Sequence, residues 1–166
     1  MEKEMVETLY FDDDGHIPNN AFYPLTIYRS VLENHDALAL FKKNKWTNAW
    51  KNGVFPYHHY HSNTHEVLGI VKGEASIKFG GEKGETIQVE EGDVVVIPAG
   101  VGHKREQSSS EFLVVGAYPN GRPHDLKTGS PDERPSVLQN IRNVPIPETD
   151  PVFGVDGPLR NIWKKQ

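Results

Sequence analysis

The sequence predicts a mainly β fold, and three observations carry that prediction. Short runs of strand-forming residues, among them Leu25-Thr26-Ile27-Tyr28, Val67-Leu68-Gly69-Ile70-Val71 and Thr86-Ile87-Gln88-Val89, recur between turn residues such as Asn52-Gly53 and Gly80-Gly81-Glu82-Lys83-Gly84. Val94-Val95-Val96-Ile97 is uniformly apolar and is bounded by Gly92-Asp93 and Pro98, as a strand covered on both faces would be. Between the first of these runs and the rest, helical spacing of apolar residues marks one substantial helix.

In chain order, the opening segment mixes charges and reaches Asp12-Asp13-Asp14-Gly15-His16. That triplet lacks the alternating spacing and distal Glu of a calcium loop, and it reads as a solvated turn. Leu25 to Tyr28 follows as a strand. From Glu33 or Asn34 to Lys45, the residues Ala37, Leu38, Leu40 and Phe41 fall at helical spacing, with Asn34 or Asp36 as cap. Trp46 to Lys51 alternates, and Asn52-Gly53 predicts a hairpin leading into a strand from Val54 to His61. With His59 and His61 inward, alternation turns Phe55 and Tyr57 inward as cavity wall, and beyond Glu66 it places Leu68 and Ile70 inside. His58 and Tyr60 then face out, under the helix or tail.

The glycine-rich turn at Gly80 lacks the spacing of a phosphate loop and reads as a hairpin connection to Thr86–Val89. Beyond His103, Arg105 and Gln107 share its face. Ser108 to Ser110 form a loop, and Phe112 to Tyr118 another strand. From Pro119 onward prolines, glycines and charges dominate, with a short helix expected between Asp132 and Arg142. The proline-rich tail still carries Phe153, Leu159, Ile162 and Trp163, so it is expected to wrap the barrel or a partner subunit.

The chemistry concentrates in Tyr57-His58-His59-Tyr60-His61-Ser62-Asn63-Thr64-His65-Glu66, which holds four of the eight histidines. His59 and His61, two apart on an extended strand, present their imidazoles to one face. Ser62, Asn63 and Thr64 favour a turn that brings Glu66 back beside them. Pro98-Ala99-Gly100-Val101-Gly102 fixes a tight loop that can aim His103 at the same point. Such mixed imidazole and carboxylate donors suit a divalent transition metal: Fe, Mn, Ni, Zn or Co. The competing reading is a barrel with a polar interior and no metal. His65 faces the other way, to the surface or to a supporting place behind the ligands. Arg105 points inward, either to clamp a substrate carboxylate or to form a salt bridge at the mouth, for example with Glu111. His16, His35 and His124 read as surface histidines.

Two spacings resemble a known family. Gly53, five residues, His59, one residue, His61, four residues, Glu66, six residues and Gly73 resemble the first motif of the cupin superfamily. Gly92, five residues, Pro98, one residue, Gly100, two residues and His103 resemble the second, with Gln107 where the motif closes on Asn. The resemblance is closest to single-domain bacterial cupins carrying His-Tyr-His-Ser-x-Thr-His-Glu-Val-Leu-Gly. It implies a cupin-type jelly-roll barrel (double-stranded β-helix), with His59, His61, Glu66 and His103 as metal ligands and Gln107 as a supporting hydrogen bonder. The layout expected is one domain over 1–166: a strand and helix over 25–45, a barrel core over 46–118 and a wrapping segment over 119–166. Oxygenase or isomerase chemistry on a small organic molecule is implied, beside a non-catalytic small-molecule binder or sensor and a scaffold with a vestigial site.

Composition narrows the classes. The net charge of −5 carries no nucleic-acid footprint, which would need clustered Lys and Arg. With no cysteine, disulfides, thiolate metal sites and a cysteine nucleophile are excluded. No apolar leader or membrane-length run is present, so a cytoplasmic protein without membrane contact is expected. An open jelly roll leaves strand edges to be covered, and a homodimer is expected, with the apolar tail available to cover an edge in trans.

Overall fold

The computed structural model of the protein describes residues 6–164, so the first residues, over which no leader was read, lie outside it. Its elements are β1 (Val6–Leu9), β2 (Leu25–Tyr28), α1 (Ala37–Lys43), β3 (Trp46–Asn52), β4 (Glu66–Lys72), β5 (Glu74–Phe79), β6 (Glu85–Glu90), β7 (Val94–Ile97), β8 (His103–Ser108), β9 (Leu113–Pro119), α2 (Ser136–Asn143) and α3 (Leu159–Ile162). A six-stranded sheet has the order β1-β2-β7-β4-β9-β3, and a three-stranded sheet has the order β6-β5-β8, all antiparallel. The result is the jelly-roll architecture.

Strand alternation sorts the apolar residues into two layers. Leu68, Ile70, Val95, Ile97 and Val114 project between the sheets and meet Ile77, Phe79 and Val89. Their neighbours Val67, Val94, Val96, Val115 and Ala117 project from the other face of the large sheet, onto Phe41 of α1 and onto Trp163. That double covering is why β7 is uniformly apolar. Gly69 admits the Phe41 ring, because a Cβ there would lie 2.9 Å from it. The α1 helix starts at Ala37, later than expected, since Asn34 sits at a left-handed φ of 64° and Asp36 caps the Ala39 amide at 3.2 Å.

Several expectations are corrected. Asn52-Gly53 is not a hairpin: β3 runs beside β9, with Asn52 opposite Val114, and the Gly53 amide bonds Asn52 Oδ1 at 2.9 Å. No regular strand follows over 54–58, because Pro56 offers no amide and Arg105 takes the carbonyls of Phe55 (through its amide, 3.0 Å) and Val54 (through Nε, 3.0 Å). β1 and α3 were not expected. The tail packs on its own sheet: Trp163 is fully buried, stacks on Tyr23 and donates its Nε1 proton to Pro24 O and Thr26 Oγ1, both at 3.0 Å. Asp150, also fully buried, accepts from the Tyr28 hydroxyl and from the amides of Val152, Phe153 and Leu159. Among the described residues no helix is long and apolar enough to cross a membrane.

Candidate metal centre

The segment from His59 to His61 is held as a short extended joint. His59 and His103 exchange both backbone hydrogen bonds, at 3.2 and 2.9 Å, Tyr60 and Lys127 exchange theirs at 2.9 and 3.0 Å, and the Gly100 amide bonds His61 O at 2.8 Å. Alternation along the joint sends His59 and His61 to one side. Tyr60 goes to the other, where its hydroxyl bonds Glu133 Oε1 at 2.7 Å and its ring packs with Ile17 and Val137 of α2. Glu66 enters at the start of β4 opposite Ile97, and His103 opens β8.

These placements bring His61, Glu66 and His103 together, buried, with one donor atom from each within 4.8 Å of the others. Glu66 Oε1 lies 3.5 Å from both His61 Nε2 and His103 Nε2. His59 is outside that trio of converging donors, although its ring centroid is 4.1 Å from that of His103. All three imidazoles are fixed the same way. Nδ1 of His59 faces Tyr57 O at 2.9 Å, Nδ1 of His103 faces Val101 O at 3.2 Å, and Nδ1 of His61 faces Asp125 O. A carbonyl can only accept, so each Nδ1 carries a proton, and in the neutral imidazole Nε2 is then the nitrogen with the lone pair. This is how a metal-ligating histidine is oriented from behind.

Glu66 is prepared in the same manner. Tyr118 donates its hydroxyl to Glu66 Oε2 at 2.7 Å, and Trp50 Nε1 donates to the Tyr118 oxygen at 2.8 Å, leaving Oε1 for the cluster. Burial alone would raise the Glu66 carboxyl, but the charges and hydrogen bonds of His61 and His103 outweigh it and hold the group well below the usual carboxylate range. Burial, followed by the neighbouring His103, pushes His59 down to about 3, so it is neutral. A carboxylate among neutral or carboxylate-paired imidazoles fits a divalent cation of the transition series.

A cavity of about 700 Å³ opens over the cluster, walled by Trp50, Phe55, Leu68, Arg105, Phe112 and His124 among others. Phe55 lies at the rim, 48 % exposed, and Tyr57 stacks on it at 5.1 Å, 42 % exposed, in place of the inward position expected for both. Without a strand at 54–58 there is no alternation to turn them in. Ile70 is buried deeper between the sheets, opposite Val114, and is core rather than wall. His65 does face away from the cluster, but it is completely buried: its Nδ1 accepts from the Ala99 amide at 2.9 Å, its Nε2 faces Pro145 O at 3.1 Å, and Trp163 meets its ring edge-on. Gln107 is exposed opposite Ser76, because the pairing slips between Ile77↔Arg105 and Ser76↔Gln107 and the extra residue, Glu106, reverses the face. Arg105 has no carboxylate partner among the described residues; Glu106 bonds Thr86 and Glu111 bonds Ser110. His16 and His35 are exposed. His124 is exposed as well, yet it stacks on Tyr118 at 4.4 Å and meets His61 edge-on at 5.0 Å, so it stands at the cavity wall.

Sequence reasoning missed the parts that hold the ligands. Asp125 takes the Ser62 amide at 2.7 Å and the Ser62 hydroxyl through its carboxylate, and its own amide bonds Asn63 Oδ1 at 3.1 Å; Asn140 Nδ2 reaches Ser62 Oγ at 3.1 Å. Trp50 and Tyr118 were missed too. Alternation along β9 was a usable signal for Tyr118, which shares the face of Val114 and Gly116.

A jelly roll with a His–His–Glu cluster on its inner face, entered from two spaced motifs, defines the class, and a sequence model of the cupin domain family matches residues 47–116. The chain belongs to the cupin superfamily. It is 49 % identical over 166 residues to the uncharacterised protein YjlB of Bacillus subtilis (strain 168), covering 99 % of this chain and 100 % of that one. Among solved structures, a DUF861-family protein of Thermotoga maritima is 24 % identical, over 57 % of this chain and 96 % of that one, with a TM-score of 0.37. The TDP-quinovose 3,4-ketoisomerase of Campylobacter jejuni is 16 % identical, over 58 % of this chain and 75 % of that one, with a TM-score of 0.43.

Proposed function

We propose that the protein is a metal-dependent enzyme acting on a small organic molecule, with His59, His61, Glu66 and His103 holding a divalent transition metal: Fe, Mn, Ni, Zn or Co. The observation that carries the reading is the common orientation of the three imidazoles, each with Nδ1 on a backbone carbonyl, together with the meeting of His61 and His103 Nε2 at Glu66 Oε1, 3.5 Å from each. When bound, such an ion supplies Lewis acidity or a one-electron couple, the chemistry that oxygenases and isomerases of this superfamily require. The chain's own part is placement. Trp50 and Tyr118 fix the carboxylate, Asp125 fixes His61, and Leu68 and Phe112 give the cavity a dry wall. We further propose a cytoplasmic homodimer that contacts neither nucleic acid nor membrane.

The test is elemental analysis of protein purified without a metal-affinity tag, beside Glu66→Gln and His103→Ala. Near-stoichiometric metal, lost in both variants, is expected, together with turnover abolished by chelation and by His61→Ala. Absence of metal after reconstitution would overturn the reading. Metal without turnover, with a ligand released unchanged, would leave a binding module.

A further inference from the structure

Arg29 is matched by Glu7 and Asp93, and Arg134 by Asp13, whereas Arg105 has no carboxylate partner among the described residues. Arg105 lies opposite Ile77, whose side chain is in the core between the sheets, so it projects to the inside and lines the cavity over the histidine cluster. Of its five N–H groups, Nε–H goes to Val54 O at 3.0 Å and one on Nη1 goes to Ser108 Oγ at 3.4 Å. The remaining donors sit at the Nη1/Nη2 end, the edge that binds a carboxylate with two parallel hydrogen bonds. Lys51 adds a second cation to the same wall, while the acidic side chain there, Glu66, is engaged by Tyr118 and the imidazoles. Trp50, Phe55, Leu68 and Phe112 give the wall its apolar faces, beside the polar Asn52 and Ser108 to Ser110. A half-buried guanidinium with its edge free, beside the apolar faces of Trp50, Phe55, Leu68 and Phe112, is matched by an anionic group on an apolar body. A single planar fork without a glycine-rich amide nest suits a carboxylate better than a phosphate.

Resting on the metal-dependent reading and narrowing it, we propose that the cavity takes a small organic carboxylate with an apolar body. Arg105 clamps the carboxylate, and the body lies against Trp50, Phe55 and Phe112 beneath the mouth.

The experiment titrates benzoate, phenylacetate and 3-methylbutanoate, each beside its neutral amide, into metal-loaded and chelator-stripped protein, followed by calorimetry and tryptophan fluorescence. At least one acid is expected to bind about 10- to 100-fold more tightly than its amide, the scale of a charge-assisted hydrogen-bond pair. In Arg105→Gln that acid should fall to the level of its amide, with the amide's affinity and the metal content unchanged, which a merely structural role for Arg105 would not produce. Equal binding of acids and amides, an acid preference that survives in Arg105→Gln, tighter binding of phenyl phosphate, or no binding by any probe at millimolar concentration would each overturn the proposal. The two readings fail separately: an Arg105-dependent acid preference in a protein that never holds metal sinks only the metal reading, and stoichiometric metal without acid preference sinks only this one.

Discussion

Asp150 ties the tail to the large sheet, and its removal should be among the most damaging single changes outside the cavity. The carboxylate is fully buried and serves four donors. Oδ2 takes the Tyr28 hydroxyl and the Leu159 amide (3.1 Å), while Oδ1 takes the amides of Val152 (2.8 Å) and Phe153 (3.1 Å). In Asp150→Ala the Tyr28 hydroxyl and Leu159 amide are left unpaired in the interior at about 1–3 kcal/mol each, and the other two amides are near enough to solvent to recover part of their loss. The expected destabilisation is about 3–5 kcal/mol, a third or more of the stability of an ordinary domain. Urea unfolding, followed through the buried Trp46 and Trp163, measures it as a lower midpoint at unchanged slope. Tyr28→Phe alone removes one donor and should cost about 1 kcal/mol. In the double variant the hydroxyl that Asp150→Ala strands is absent, so the combined loss should be smaller than the sum of the two. A loss below about 1 kcal/mol for Asp150→Ala, or strict additivity, would refute the assignment of Asp150 as the hub.

Three other outcomes are expected. Asp125→Ala keeps the backbone carbonyl that faces His61 but removes the carboxylate that anchors it to Ser62, so metal affinity should fall about 10-fold as the carbonyl loses its position, while Asp125→Asn, which keeps an acceptor for Ser62, should lose less; competition with a chelator distinguishes them. Gly116→Ala places a Cβ 2.3 Å from the Trp50 indole, so about 1–3 kcal/mol of stability should be lost and the Trp50 emission should shift as its bond to Tyr118 breaks; an unchanged emission spectrum would contradict this. Burial would raise Glu133, but hydrogen bonds from Tyr60 and the Thr128 and Gly129 amides outweigh it and lower the group. Its contribution to stability is therefore present above the ordinary carboxylate value of 4.5 and fades as pH falls through the lowered one. Acid titration of stability in Glu133→Gln should show a shallower decline below pH 4.5, and an identical curve would exclude the effect.

How much of this was legible in the sequence depended on the range of the interaction. Val94-Val95-Val96-Ile97 announced its double burial because the signal is in the residues themselves, and the cluster of His61, Glu66 and His103 was readable from spacing within two short motifs. Alternation failed where the ladder did: at Pro56, which leaves Phe55 and Tyr57 on the rim, and at Glu106, whose insertion turns Gln107 outward. Asn52-Gly53 carried the right local chemistry for a hairpin, but β9 offered β3 a better partner from a distance. His65 was indistinguishable from a surface residue without Trp163, which covers it from the far end of the chain, and nothing local to Asp125 shows that it grips Ser62. Contacts that bridge 60 residues or more leave no period to read.

The three imidazoles differ in who orients them. His59 and His103 each lean on a carbonyl two residues earlier, Tyr57 and Val101, and so carry their own alignment with them. His61 leans on residue 125, 64 positions away. Any free energy that an ion gains from His61 is thereby shared with the docking of the segment around Asp125. Loading the site and fastening that segment are two sides of one equilibrium, so protease resistance near residue 125 should rise with metal occupancy, and a nick there should loosen one ligand while leaving the other two in register.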